Sequence, residues 1–322
     1  MSVRRWLGGT SGDITTAANW SGSTVPVSND KLIFDSSALA DVTSGSFGTF
    51  ATSVNIGPGF TKSIGTATTA FELSKRFPTQ PVTVDFLSGF AHLGGVMNSV
   101  TVKSCPFGDG LLLGGDIIDV IVAGGKGGRI TLTEDFDCTN LLICPSGNEK
   151  DKADILIEEG AEIDNIVVTG NAHVDMYAAS VDSIVIAGPN ASVRFRSQVA
   201  VSIVISGGGK LTIDKTNPTL GTSSTIIVTD GGTLDFAEGC EILGLAASGN
   251  VDLMSGGLLD TRNVSNLEPT ALGTITSYGG RIKPLTPVTI SIPSDTKLSS
   301  TSGRSLNFQL AANSGHVPTV LW

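Results

Sequence analysis

A short apolar strand, a glycine turn about eight residues on, and a second strand written apolar-polar-apolar recur along this chain. The phrase reads IVVTGNAHVDM from Ile166, IVIAGPNASVRF from Ile184, IVISGGGKLTI from Ile203 and IIVTDGGTLDF from Ile226. Side chains alternate across a strand. Val174 and Met176, Val193 and Phe195, Leu211 and Ile213, and Leu234 and Phe236 therefore share one face. Asp175, Arg194, Thr212 and Asp235 share the other. Successive copies start 18, 19 and 23 residues apart, the spacing of stacked coils rather than of a closed sandwich.

Looser copies extend the pattern. They begin at Val82, Val100, Val120 and Leu141, resume at DILIEEG, and continue from Val251 and Ile275. Glycines at 170, 207, 231, 256 and 279 fall at the same point of each unit, where the chain must turn with positive φ or without a Cβ in the way. The expected fold is all-β: a parallel β-helix with continuous internal ladders of Ile, Val, Leu and Phe. Its hand is expected to be right, as parallel crossovers prefer. The expected organisation is a non-repeating N-terminal cap and attachment segment over residues 1–50, a β-helix over 51–290, and a short C-terminal β tail over 291–322. The cap is needed because a solenoid exposes its core at its ends.

Composition supports strands and turns. Forty glycines, 6% aromatic and 16% charged residues leave scarcely a ten-residue stretch with helical periodicity. The net charge of −10, with scattered Lys and Arg, argues against a nucleic-acid partner. No run approaches the ~18 apolar residues of a membrane span. The start, MSVRRWLGGTSGD, has two arginines and no apolar stretch behind them, giving the expectation of a chain made and folded in a cytoplasm. Cys105, Cys138, Cys144 and Cys240 lack metal or redox spacing and read as small buried hydrophobes.

The polar residues offer few constellations that could carry chemistry. Asp135 with Asp137, and Glu158 and Glu159 with Glu162, are the carboxylate groups near enough in sequence to be weighed as a glycosidase pair. Asp135 and Asp137 flank Phe136 as outward strand positions do. The three glutamates sit at a charged corner near Lys150 and Lys152. His92, His173 and His316 lie far apart, none with Asp, Cys or a second His at ligand spacing, so neither a metal site nor a catalytic triad is expected. GGKGG from Gly124 lacks the rest of a phosphate loop and reads as a corner. No cofactor is expected.

The opening carries a resemblance. Trp6, Asn19, Trp20, Ser21, Pro26, Asp30, Ile33 and Phe34 form a phrase, W6LGGTSGDITTAANWSGSTVPVSNDKLIFD35, similar to one that starts many phage virion proteins and bacterial surface β-helix passengers. It covers about a tenth of the chain. The resemblance implies a non-enzymatic phage virion structural protein, a capsid decoration or cement protein on the capsid exterior. It also implies a homotrimer bound to the major capsid protein after assembly in the host cytoplasm. The alternative it leaves open is a tail fibre or tailspike that binds a receptor or glycan. A polysaccharide-degrading β-helix ranks below both: Arg281-Ile282-Lys283 resembles the RIK element of polygalacturonases, whose other motifs are missing here. Because Arg and Trp often anchor interfaces, Arg4, Arg5, Trp6, Trp20 and the terminal Trp322 are the expected partner-binding residues; the alternative for Trp6 and Trp20 is that they cap the first coil.

Overall fold

Alternation gives each strand one face that must leave water, and stacking strands in parallel lets like faces meet. The computed structural model describes residues 2–43, 53–73, 81–106, 108–125, 128–146, 152–177, 180–196, 200–214, 225–238, 240–242, 250–260, 264–267, 274–277 and 281–283. Strands dominate them, with one short 3-10 turn at Ala17–Asn19. The protein is all-β, and among the described residues its parallel strands stack as a β-solenoid. The chain divides into two units, residues 1–184 and 185–322.

In the first unit, one wall starts with β1 (Val3–Arg5), β2 (Lys31–Phe34) and β3 (Ser53–Ile56), paired in parallel in that order. It continues through Val82–Asp85, Met97–Ser104, Gly108–Val122, Gly128–Ile143 and Glu162–Thr169. Register puts Leu32, Val54, Val82, Val100, Val120, Leu141 and Ile166 in one inward column. Phe34, Ile56, Val84, Val102, Val122, Ile143 and Val168 form a second column beside it. All are buried, and each contributes about 1.5–3 kcal/mol by leaving water. A further wall stacks Ala91, Leu111, Ile130, Ile155 and Val174.

The second unit repeats the scheme. Val193, Leu211, Leu234, Leu259 and Ile282 share a column, as do Ile203, Ile226, Val251 and Ile275. Each of the eight inward residues expected from the second strands, from Val174 to Phe236, is buried. The opposite face is only half wet. Asp235 keeps 9% exposure because Lys210 Nζ closes on its carboxylate at 2.7 Å.

Two glycines show why corners select that residue. Gly231 has φ +79°, which a residue with a Cβ adopts only with strain, and it stacks on the positive-φ Gly208 of the preceding coil. Next to it, a Cβ at Gly232 would strike the backbone carbonyl of Ile205 in the coil below. Gly170, Gly207 and Gly256 also have positive φ. Gly279 lies outside the described residues.

The coil ladder does not wait for residue 51. β1 and β2 lie inside the segment expected to be non-repeating, and β2 pairs with β3 residue for residue. VRR and KLIF are too short to display a period, which is why the sequence alone does not mark them as coils. The tail expected over 291–322 lies outside the described residues.

Register makes a sharp prediction in the second unit. Leu211 is fully buried and its neighbour Thr212 faces outward, half-buried. Leu211→Asp places an unpaired charge in the core and should cost several kcal/mol. Thr212→Asp, in register with Arg194 and Asp235, should stay within about 1 kcal/mol of wild type. Thermal melts of the two variants compare them directly; equal tolerance would contradict the register.

Candidate attachment site at the N-terminal cap

The residues that carry the opening phrase come together in one construction. Trp6 and Trp20 are 0% and 1% exposed. Their rings meet edge to face at 5.1 Å. The same geometry continues from Trp20 to Phe34 at 6.0 Å, from Phe34 to Phe60 at 6.0 Å, and from Phe60 to Phe86 at 6.1 Å. Such pairs add about 0.5–1.5 kcal/mol each beyond their burial. Both indole N–H groups are satisfied, Trp6 Nε1 by Ala40 O at 3.0 Å and Trp20 Nε1 by Ile14 O at 2.8 Å.

Asn19 is fully buried and organises the loop above them. Its Oδ1 accepts from the amides of Thr10 and Ser11 and from Thr10 Oγ1, while its Nδ2 donates to Ser11 Oγ and Asp13 O. Asp30 fastens the other side. Oδ1 accepts from the Ser2 amide at 2.8 Å, and Oδ2 from Arg4 Nε and the Val27 amide, each at 3.2 Å. Burial alone would raise the Asp30 carboxyl, but the Val27 and Ser2 amides and the Arg4 guanidinium outweigh it and hold it below the usual carboxylate range. Asp35 is lowered in the same manner, burial being overcome by Ser37 and Arg5.

This placement changes the expected partner-binding set. Trp6 and Trp20 plug the end of the core and have no surface left for a partner. Arg4 is 18% exposed and committed to Asp30. Arg5 alone among the described members of the set keeps a half-exposed side chain, in a surface pair with Asp35 at 3.0 Å that contributes less than about 1 kcal/mol. Trp322 lies outside the described residues. Val3, Val27 and Leu39, exposed by 56%, 58% and 72%, were not singled out from the sequence and stand in this same segment.

The other candidates resolve into structure. Asp135 and Asp137 point outward around a buried Phe136, and Asp135 accepts from Thr133 Oγ1. Glu158 and Glu159 lie at a corner, with Glu162 opening the next strand. His92 is covered, its Nδ1 2.9 Å from Thr66 O. His173 does have an acidic neighbour: Asp175, two residues along the same face, approaches its Nε2 at 3.8 Å. Among the described residues no group of three or more His, Cys, Asp or Glu is arranged to hold a metal ion. Among them, too, no helix is long and apolar enough to cross a membrane. Arg281–Lys283 is a coil strand in register with Leu258–Asp260, so the RIK letters fall where the repeat already requires alternation. Gly124, Gly125 and Gly128 are packed against backbone of adjacent coils, as a tight corner requires. Cys105 and Cys138 are buried, which pushes both thiols up to about 12. Cys138 sits in the apolar column of Met97, Ile117 and Ile163.

One surface feature is invisible residue by residue. Between Asp109 and Asp182 the chain has fifteen Asp and Glu against four Lys and Arg. Register stacks Asp116, Asp137 and Glu162 in one exposed column, at a strand spacing of about 4.8 Å. Beside it Asn140 Nδ2 donates to Asp119 Oδ1 at 2.9 Å, and Asn165 Nδ2 to Asn140 Oδ1 at 3.3 Å. The Asn ladder stabilises its neighbours; the acidic column repels itself.

Comparison with known proteins finds no matching protein family, curated protein or solved structure.

Two outcomes follow from these electrostatics. Asp137→Asn removes the middle charge of the column and should raise stability by roughly 0.2–1 kcal/mol, with a smaller gain in high salt; melts at two ionic strengths check both. Asp30 has a depressed pKa in the folded state, so its contribution is present above the unfolded value, about 3.9, and is lost as pH falls through the folded one. Asp30→Asn should therefore destabilise the protein at pH 7 and flatten the loss of stability below about pH 4, measured by denaturant unfolding across that range.

Proposed function

We propose that this chain is a non-enzymatic structural protein of a tailed-phage virion, decorating the capsid exterior as a homotrimer bound to the major capsid protein. The observation that carries the reading is the opening phrase from Trp6 to Phe34, which resembles the start of phage virion β-helix proteins. Its members act together: Trp6, Trp20 and Phe34 in one aromatic stack, Asn19 and Asp30 as its buried fasteners. Physical logic supports the role. Stacked coils satisfy their backbone hydrogen bonds along the ladder, so such a chain resists opening while presenting side-faces for association.

Attachment through the N-terminal end then depends on the exposed residues there, Arg5 with Val3, Val27 and Leu39, rather than on the tryptophans. Truncating the first five residues is not a clean test, because it deletes β1. Substitution is. Arg5→Gln leaves the core untouched and removes only the surface pair with Asp35, so its stability should stay within about 1 kcal/mol of wild type, while decoration of empty capsids weakens at least about tenfold, the effect of about 1.4 kcal/mol at an interface. Gold-labelled antibody on particles of the phage that encodes the chain tests the reading itself: label over the head is expected, and label confined to the tail, or absent from the virion, would refute it.

A further inference from the structure

Among the described residues β1 has a parallel partner on one side only, β2, and the groups on its other edge need acceptors and donors from elsewhere. The amide of Lys31 donates to Ser2 O and that of Trp6 to Ile33 O, so even-numbered positions at this end face β2. Odd-numbered positions face away, toward the edge that an added strand would use. The loop above β1 occupies that edge. Ser21 is bonded twice to Arg5, its amide to Arg5 O and its Oγ from the Arg5 amide, each at 2.9 Å. Asn19 O accepts from the Leu7 amide at 2.7 Å, and Trp6 and Trp20 form an antiparallel bridge between these contacts.

The adjoining segment is covered by the same loop. The Leu39 amide donates to Leu7 O at 2.7 Å and the Thr43 amide to Gly12 O at 3.0 Å. Gly8 and Gly12 make that approach possible, since a Cβ on either would press on backbone of Ala40 or Asp41 at 2.9 Å. Val3 is the one odd position of β1 that no described lid residue bonds, and its side chain is 56% exposed. The lid runs antiparallel to β1 and so ends the parallel ladder instead of extending it.

We propose that the segment Leu7–Ser23 is an edge block against a second copy of this chain: it keeps β1 from pairing with β1 of another molecule. With Ser21 withdrawn, Val3 and Arg5 present two donors and two acceptors on one edge. Two such edges related by a twofold axis complement each other as an antiparallel pair. The seal and the block are separable. The tryptophans close the core, whereas Ser21 closes the edge, and neither task depends on what the protein decorates.

Ser21→Pro removes the donor N–H and the hydroxyl while leaving both tryptophans. The folded variant, verified by its β circular dichroism, is expected to show a concentration-dependent species of doubled mass by light scattering relative to wild type. Adding Val3→Pro takes away an outward donor that β2 does not use, a position where an edge strand tolerates proline, and should return the mass to that of wild type. Should Ser21→Pro lose its β signal, Asn19→Ala loosens the lid from inside with β1 and Ser21 intact, and reads the same association and the same reversal by Val3→Pro. A folded, lid-weakened variant that keeps the wild-type mass, or one whose association persists after Val3→Pro, would overturn the proposal.

Discussion

Each wall strand hands its backbone hydrogen bonds to the coil beside it, and in a parallel ladder that sets every residue over its counterpart one coil away. The rest of the structure follows from this registry. Inward positions become columns of Leu, Val, Ile and Phe, corners become columns of glycine, and the outer faces inherit whatever the sequence writes there, favourable or not. Asp119, Asn140 and Asn165 turn registry into a hydrogen-bonded ladder. Asp116, Asp137 and Glu162 turn the same registry into a column of like charge.

Registry also dictates what must happen at an end. A coil with no predecessor exposes both an apolar cross-section and a row of unused backbone groups. The cap answers the two needs with different residues. Trp6, Trp20 and Ile14 fill the cross-section, continuing an aromatic stack that reaches Phe86. Asn19, Ser21, Leu7 and Gly12 take up the backbone groups. Buried Asp30 holds the returning chain by three donors, which makes the carboxylate form the stabilising one and links the integrity of this end to pH.

Much of the coil architecture was legible because alternation with a repeating glycine corner has one economical solution. Val193, Leu211 and Leu234 could be placed in a column by eye, and the structure pairs them so. The first two strands were not legible, since three or four residues carry no period. Nor were the tryptophans' positions: exposed anchors and buried plugs have the same letters, and only the long-range bonds from Trp6 to Ala40 and from Trp20 to Ile14 distinguish them. The acidic column escaped for a related reason. Its members are unevenly spaced in sequence because the corners between them differ in length, so proximity appears only once register is known. The pairing of His173 with Asp175 was missed although the two are neighbours on one strand face, a period-two signal that could have been read.

The cap completes the hydrogen-bonded ladder rather than merely covering it, and amide hydrogen exchange on the intact chain reads this most directly. The amides of Arg5, Leu7, Leu39 and Thr43 donate to the lid or across it, so they should exchange as slowly as those of β2 and β3 within the wall. Rapid exchange at Arg5 and Leu7 beside protected β2 amides would contradict the account, because the first strand would then have an open edge and the segment above it would be a cover without bonds.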